Sequence, residues 1–125
     1  MTRASIIAAI AAITLATSAA AQSPLRVIDG DTIEVRGRIV RIIGLDAPEI
    51  HGRCPEETRL AIAARDRLAQ LLAGRSEIRT RGRDRYGRTL GRVLDANGRD
   101  VAQVLISEGL ARPYDGRSRR QGWCS

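Results

Sequence analysis

The part of the sequence that decides the fold, residues 25–49, reads LRVIDGDTIEVRGRIVRIIGLDAPE. Three short runs rich in β-branched residues predict strands, at residues 25–28, 33–35 and 39–43. The alternation of Ile33, Val35 and Ile39 predicts a sheet with one buried face. Residues 36–38, Arg-Gly-Arg, predict the turn between the second and third strands.

Beyond this stretch the apolar residues recur every three or four positions, which predicts a helix over residues 55–73. Its apolar stripe comprises Leu60, Ala64, Leu68, Leu71 and Leu72. Pro55 suits the first helical position, and Gly74 can end the helix in the left-handed conformation. Glu56 and Glu57 complement the positive end of the helix dipole.

The rest of the chain predicts strands at residues 77–81 and 90–94 and a short helix at residues 101–109 with Asp100 as its cap. Strands, a helix, more strands and a second helix are typical of the α+β class. A length of 125 residues fits one small domain.

Residues 1–21 have the layout of a secretory signal peptide. A basic start with Arg3 is followed by an apolar run at residues 6–15 and by three alanines ending at Ala21. We expect cleavage after Ala21, export to the periplasm or beyond the bacterial cell, and a mature domain of residues 22–125 with no stable membrane association. An uncleaved membrane anchor is the alternative, although the run is shorter than the ~20 residues of a spanning helix.

The charge favours a polyanionic partner. The chain carries 21 basic and 14 acidic residues, a net charge of +7, and such an excess favours nucleic acids. Every basic residue is Arg, which suits phosphate recognition by planar guanidiniums or simply reflects a GC-rich genome. The aromatic residues are Tyr86, Tyr114 and Trp123, too few for a long base-stacking platform.

The two cysteines, Cys54 and Cys124, form an even set in a chain with a predicted export signal. A disulfide between them is therefore the expectation, and two free thiols are the alternative.

Three polar clusters carry the candidate chemistry. The first is DGDT at residues 29–32, the second is Arg41 followed by DAPE at residues 46–49, and the third is DRYGR at residues 84–88. Each cluster alone could be a turn, a solvated loop or a basic hairpin tip.

Together and in this order, the clusters resemble the hallmarks of the staphylococcal nuclease, or thermonuclease, family. The resemblance runs over residues 27–111. It implies an α+β fold built on a five-stranded OB-fold β-barrel with two packed helices. The best-known member continues into a long C-terminal helix, which this sequence lacks.

The resemblance implies a calcium site. Asp31 and Asp46 match side-chain ligands of Ca²⁺, with the backbone carbonyl of Ala47 as a further ligand, and Asp29 and Thr32 match supporting positions. Crowded carboxylates repel one another unless a hard cation lies among them.

The resemblance also implies hydrolysis of DNA, RNA or both, which leaves 3′-phosphate and 5′-hydroxyl ends. Glu49 matches the residue that positions or deprotonates the attacking water. Arg41 and Arg88 match the pair that grips the scissile phosphate, where guanidiniums stabilise the developing charge. Tyr86 and Tyr114 are candidate substrate contacts.

The end of the chain departs from the family pattern. We expect Trp123 to pack on the barrel and the disulfide to hold the tail in place of the missing helix. The tail arginines Arg117, Arg119 and Arg120 are interpreted as a solvated charge run, and His51 as a solvated loop residue.

The sequence predicts a monomeric enzyme. Two other functions stay open: a non-catalytic module of the same family that binds nucleic acid or protein, and an OB-fold binder of oligosaccharides or other ligands.

Overall fold

The computed structural model describes residue 13 and residues 25–125. The remainder of the predicted signal peptide lies outside the described residues, so cleavage after Ala21 stays a prediction. The elements in chain order are β1 Leu25–Asp29, β2 Thr32–Val35, β3 Arg38–Ile42, β4 Leu45–Asp46, α1 Pro55–Leu71, β5 Glu77–Arg83, β6 Thr89–Leu94, α2 Val101–Ser107 and β7 Arg112–Pro113.

Five strands form a mixed sheet in the order β1-β2-β3-β6-β5, and β4 pairs with β7 in a separate two-stranded sheet. The β3–β6 pair is parallel and the other pairs are antiparallel. With its two helices this architecture confirms the predicted α+β, OB-type fold. The pairing of β4 with β7 was not predicted, because each strand has only two residues and no local pattern marks it.

The turn between β2 and β3 sets which residues face the core. Arg36 and Gly37 both have positive φ, 51° and 77°, as a two-residue hairpin turn of type I′ requires. This turn pairs Ile33 with Val40, and both side chains are buried. The prediction that Ile39 lies on the buried face is therefore wrong, because its neighbour Val40 occupies that face.

Helix α1 begins at Pro55 as predicted. It ends at Leu71, two residues earlier than expected, and Gly74 has the left-handed φ of 85° just beyond. Its buried face contains Ala61 in place of the predicted Leu60, together with Ala64, Leu68 and Leu71. The helix packs against β1 and α2.

Helix α2 begins after Asp100, whose side chain accepts a hydrogen bond from the Ala102 N–H (3.0 Å), as the cap prediction requires. No helix follows it in residues 25–125. Within the same range, none of the helices has the length and apolar character needed to cross a bilayer.

The disulfide between Cys54 and Cys124 is present and joins residues 70 apart. It attaches the end of the chain to the residue that caps α1. Trp123 is half-buried, and its ring lies 3.8 Å from the guanidinium of Arg112. Since Arg112 belongs to β7 and also donates to the Gly122 carbonyl (2.8 Å), the tail is fastened to the barrel through this strand.

Candidate active site

The three polar clusters of the sequence converge on one open cleft of about 990 Å³. The β1–β2 turn supplies the first cluster. The parallel pairing of Arg41 with Leu90 places the start of β6, and with it the third cluster, beside β3. The predicted site residues that line the cleft are Asp29, Asp31, Thr32, Arg41, Glu49, Tyr86, Arg88 and Tyr114.

Asp46 and Ala47 do not line this cleft. Both are buried, and Asp46 lines an adjacent cavity of about 750 Å³ together with Arg120. Two predicted metal ligands therefore lie outside the lining of the main cleft, and the tail residue Arg120 lines both cavities.

Asp31 joins the first two clusters. Its Oδ2 accepts a hydrogen bond from the Ala47 N–H (3.0 Å) and its Oδ1 accepts one from the Thr32 hydroxyl (2.9 Å). Asp29 supports it by accepting the Asp31 N–H (3.0 Å). These bonds fix the orientation of a buried carboxylate that faces the cleft.

Gly30 lets the two clusters approach each other. A Cβ atom built on Gly30 would lie 2.8 Å from the Cβ of Ala64 in α1 and 2.9 Å from the Cβ of Ala47. Non-bonded carbon atoms prefer about 3.5–4.0 Å. The glycine of the DGDT motif is therefore required by packing, since its φ is not in the left-handed region that favours glycine.

Arg41 is engaged by its own loop. Its side chain is 11% exposed, and Nη2 lies 3.2 Å from Oδ2 of Asp31. The same guanidinium donates to the carbonyls of Ile42 (2.6 Å) and Leu45 (3.0 Å). In this arrangement Arg41 neutralises Asp31 and holds the loop that follows β3. To bind a phosphate, Arg41 would have to give up some of these hydrogen bonds.

Arg88 is held by a five-residue turn. Asp84 accepts the N–H groups of Tyr86 and Arg88 through Oδ1 (2.9 Å each) and the Nε of Arg88 through Oδ2 (2.7 Å). The same bonds recur between Asp95 and Arg99 in the next turn, so this ion pair is a property of the Asp-x-x-Gly-Arg turn.

Its position at the cleft distinguishes Arg88 from Arg99. The Nη atoms of Arg88 make no hydrogen bond to any residue in the described part of the chain, and the guanidinium lies 5.6 Å from the centre of the Tyr86 ring. That ring is 74% exposed. The turn therefore presents a guanidinium edge and an aromatic face to the cleft together.

Arg120 is the functional candidate that sequence reasoning missed. Its Nη2 lies 2.7 Å from Oε1 of Glu49 and 2.8 Å from Oδ1 of Asp46. The expectation of a solvated charge run is therefore wrong for Arg120, although Arg117 and Arg119 are exposed. The available signal was the nearby Cys124, since a disulfide at that position holds the tail against the barrel.

The negative charges of Asp29 and Asp46 are only partly compensated by neighbouring groups. Burial raises the pKa of Asp29 to about 7, with further increases from the charges of Asp31 and Glu49. Burial also raises the pKa of Asp46, and the guanidinium of Arg120 partly offsets this. The contact of Asp46 with Arg120 lacks hydrogen-bond angles, so its buried Oδ1 has no hydrogen-bond donor among the described residues. A bound cation would compensate both carboxyls.

The donor set fits a hard cation, with one restriction. Carboxylate and carbonyl oxygens are the ligands that Ca²⁺ prefers, and Asp31 and Asp46 both face the Nη2 of Arg41, at 3.2 and 4.0 Å. However, the one group of three candidate ligand side chains within 4.8 Å of one another in the described residues is Cys54, Glu57 and Cys124. The sulfurs of that group form the disulfide. The ligands available to a cation are therefore the carboxylates of Asp31 and Asp46 and a main-chain oxygen, and not three converging carboxylates.

The walls of the cleft are basic. Arginines of the β5–β6 hairpin and of the tail line it, namely Arg81, Arg85, Arg92, Arg117 and Arg119. Tyr114 lies at its edge and donates its hydroxyl to the Ser118 carbonyl (3.1 Å), and His51 is exposed, as expected, outside the cleft lining. An acidic floor between basic walls is suited to a metal ion and a polyanion together.

Comparison with known proteins places this arrangement in a family. Residues 39–122 match the family described as staphylococcal nuclease homologue. The succinoglycan biosynthesis protein ExoI of Rhizobium meliloti (strain 1021) is 37% identical over 118 residues, which cover 86% of this chain and 62% of that protein. An uncharacterized endonuclease of Escherichia coli is 35% identical over 96 residues, covering 73% of this chain and 59% of the relative.

A third relative is endonuclease YhcR of Bacillus subtilis (strain 168), 30% identical over 103 residues that cover 71% of this chain and 8% of that protein. The chain thus spans about three-fifths of the length of ExoI and of the Escherichia coli endonuclease, and a small part of YhcR.

Proposed function

Since the chain belongs to the staphylococcal nuclease family, we propose that it is an exported, calcium-dependent nuclease that hydrolyses phosphodiester bonds in DNA, RNA or both. The endonuclease names of two relatives support a nuclease-like function with nucleic acid as the substrate class. The observation that carries the proposal is the convergence of Asp31, Glu49 and Arg88 on one cleft with basic walls.

Asp31 and Asp46 would hold Ca²⁺ with the carbonyl of Ala47. When bound, the ion supplies positive charge to a phosphoryl oxygen and to the crowded acids. Asp29 and Thr32 support this set, because their hydrogen bonds fix the backbone and the carboxylate of Asp31. The raised pKa values of Asp29 and Asp46 mean that the protein's own positive charges do not fully stabilise these carboxylates. A bound cation would supply the missing charge.

Glu49 is the proposed general base. It lies at the cleft with its side chain about half exposed, so it can reach a water molecule once Arg120 has moved away. It would accept the proton of the attacking water as the new bond to phosphorus forms and the bond to the 5′ oxygen breaks, and that oxygen would take a proton from solvent to give the 5′-hydroxyl.

Arg88 is the proposed phosphate ligand. Its Nε is bonded to Asp84 and its side chain lines the cleft, so the turn orients the guanidinium before the substrate arrives. Charge on the phosphoryl oxygens grows in the transition state, and a preoriented guanidinium stabilises that state more than the ground state. Arg41 contributes positive charge beside Asp31.

Export is part of the proposal. The predicted signal peptide supports it, as does the disulfide, because such bonds persist in oxidising compartments such as the periplasm. We propose that the mature protein acts as a monomer in the periplasm or outside the cell.

The test compares Arg88→Ala with Arg99→Ala. Both substitutions remove the same ion pair from the same kind of turn, but Arg99 lies outside the cleft lining. We expect kcat to fall roughly 10²–10³-fold for Arg88→Ala alone, while Ca²⁺ affinity measured by calorimetry stays near the wild-type value.

Glu49→Gln tests the proton transfer and should lower kcat by roughly 10²–10⁴-fold. Equal losses for Arg88→Ala and Arg99→Ala would show that the turn matters only for folding. Nucleic-acid binding without cleavage, in the presence of several divalent ions, would support the non-catalytic alternative.

A further inference from the structure

Arg120 contacts two acids to which the proposed function gives different roles, one toward the metal ion and one toward the attacking water. One of its nitrogen atoms contacts both Asp46, a proposed metal ligand, and Glu49, the proposed base. Its side chain is 48% exposed, so the guanidinium reaches the acids from the solvent side. It is the tail residue that makes these two contacts in the described part of the chain, since the guanidiniums of Arg117 and Arg119 form no salt bridge there.

Several bonds keep Arg120 in this position. Before it, β7 pairs Arg112 with Asp46 itself, and Asp115 accepts the N–H groups of Arg117 and Ser118 (2.8 and 2.7 Å). After it, Trp123 stacks on Arg112 and Cys124 is bonded to Cys54. The segment is thus closed at both ends, which gives the Arg120 side chain a high effective concentration at the acids.

We propose that Arg120 is a tethered internal cation that competes with Ca²⁺ for Asp46 while it also holds Glu49, and that the Cys54–Cys124 disulfide sets the strength of this competition. The inference rests on the proposed metal site. The same Asp46 oxygen cannot contact a guanidinium nitrogen at 2.8 Å and ligate Ca²⁺ at about 2.4 Å without one cation repelling or displacing the other.

The competition follows from mass action. The apparent affinity for the ion equals the intrinsic affinity multiplied by the fraction of molecules in which the site is free. A tail closed in nine molecules of ten would weaken apparent binding about tenfold. In the free enzyme, the ion pair with Arg120 would keep Glu49 from binding the attacking water. Binding of the metal would displace Arg120 and so free Glu49 at the same time.

The experiment is Ca²⁺ titration by calorimetry, without nucleic acid, on the full oxidised protein and on Arg120→Ala. We expect Arg120→Ala to bind Ca²⁺ roughly three- to tenfold more tightly, the range that two partly exposed ion pairs of ordinary strength would give. Arg119→Ala is the matched control, because it removes the same charge from the adjacent position. Its affinity should stay within about twofold of the wild-type value.

A second arm opens the tether. Reduction of the wild-type disulfide, or the double substitution Cys54→Ser with Cys124→Ser, should tighten Ca²⁺ binding in the same direction in protein that retains its helical circular dichroism. Combining the double substitution with Arg120→Ala should add little further tightening, because both changes remove the same competitor.

Equal or weaker Ca²⁺ binding by Arg120→Ala would overturn the inference and indicate that Arg120 supports the site. If the wild-type protein cleaves nucleic acid with Ca²⁺ while Arg120→Ala shows unchanged affinity, this inference fails and the proposed function stands. If neither protein binds Ca²⁺, the inference and the proposed calcium site fail together.

Discussion

Replacing Cys54 and Cys124 by serine removes a covalent link between residues 70 apart. In the chain-entropy treatment, closure of a loop of that length stabilises the folded state by about 4 kcal/mol. A change of 1 kcal/mol shifts the melting temperature of a domain of this size by about 4–8 °C, so the expected decrease is roughly 15–30 °C.

The assay is urea unfolding at neutral pH with EDTA, which removes any contribution from metal binding. Circular dichroism follows the two helices, and the single tryptophan, Trp123, follows the tail by fluorescence. In the oxidised wild type the two transitions should coincide. In the double serine variant the fluorescence change should precede the loss of helix, because Trp123 is then held only by its contacts with Arg112 and the adjoining tail.

The control is wild-type protein with a reductant, which should unfold at the midpoint of the double serine variant. A loss in free energy of unfolding below about 1 kcal/mol, far under the chain-entropy value, would contradict a stabilising role for the disulfide. It would mean that the tail adds little to the fold and that noncovalent contacts suffice to place Arg120.

Gly30→Ala should lower the free energy of unfolding by about 1–3 kcal/mol through overpacking against Ala64, and an unchanged thermal midpoint would contradict this. In metal-free protein, the raised pKa of Asp29 makes a contribution to stability that is full below about pH 4 and is lost as the pH rises through about 7. Asp29→Asn should therefore reduce the pH dependence of the unfolding free energy in that window by roughly 1–3 kcal/mol after allowance for partial exposure, and an identical pH profile would contradict the assignment. Arg81→Ala in β5 and Arg117→Ala in the tail, both in the cleft lining, should each reduce the slope of log K against log salt for an oligonucleotide in EDTA by about one, and unchanged slopes would place the substrate elsewhere.

The larger elements of this fold could be predicted from local sequence. Helix α1 has a long apolar stripe with clear ends, and β1, β2 and β3 are runs rich in β-branched residues next to turn residues. Two features of the fold could not be predicted from local sequence. The β4–β7 pair joins residues far apart in the chain, and the burial of Val40 rather than Ile39 follows from the length of one turn.

In the candidate site, too, some features could be predicted from local sequence and others could not. Ordered motifs predicted most of the residues that meet in the cleft, because each motif lies at the end of a predictable strand, although Asp46 and Ala47 of the second motif do not line it. The contacts of Arg120 and Arg41 could not be predicted, since they depend on where the tail and the loop after β3 fold back. The pairing of Asp84 with Arg88 could have been recognised, because the same five-residue spacing recurs at Asp95 and Arg99.

The most direct test of the central claim is cleavage of DNA and RNA by the wild-type protein with Ca²⁺ and with EDTA, followed by identification of the product ends. We expect cleavage with Ca²⁺, its loss on chelation, and products with 3′-phosphate and 5′-hydroxyl ends. Cleavage that survives EDTA would contradict the metal-dependent mechanism, and intact substrate in the presence of Ca²⁺ would contradict the assignment of this protein as a calcium-dependent nuclease.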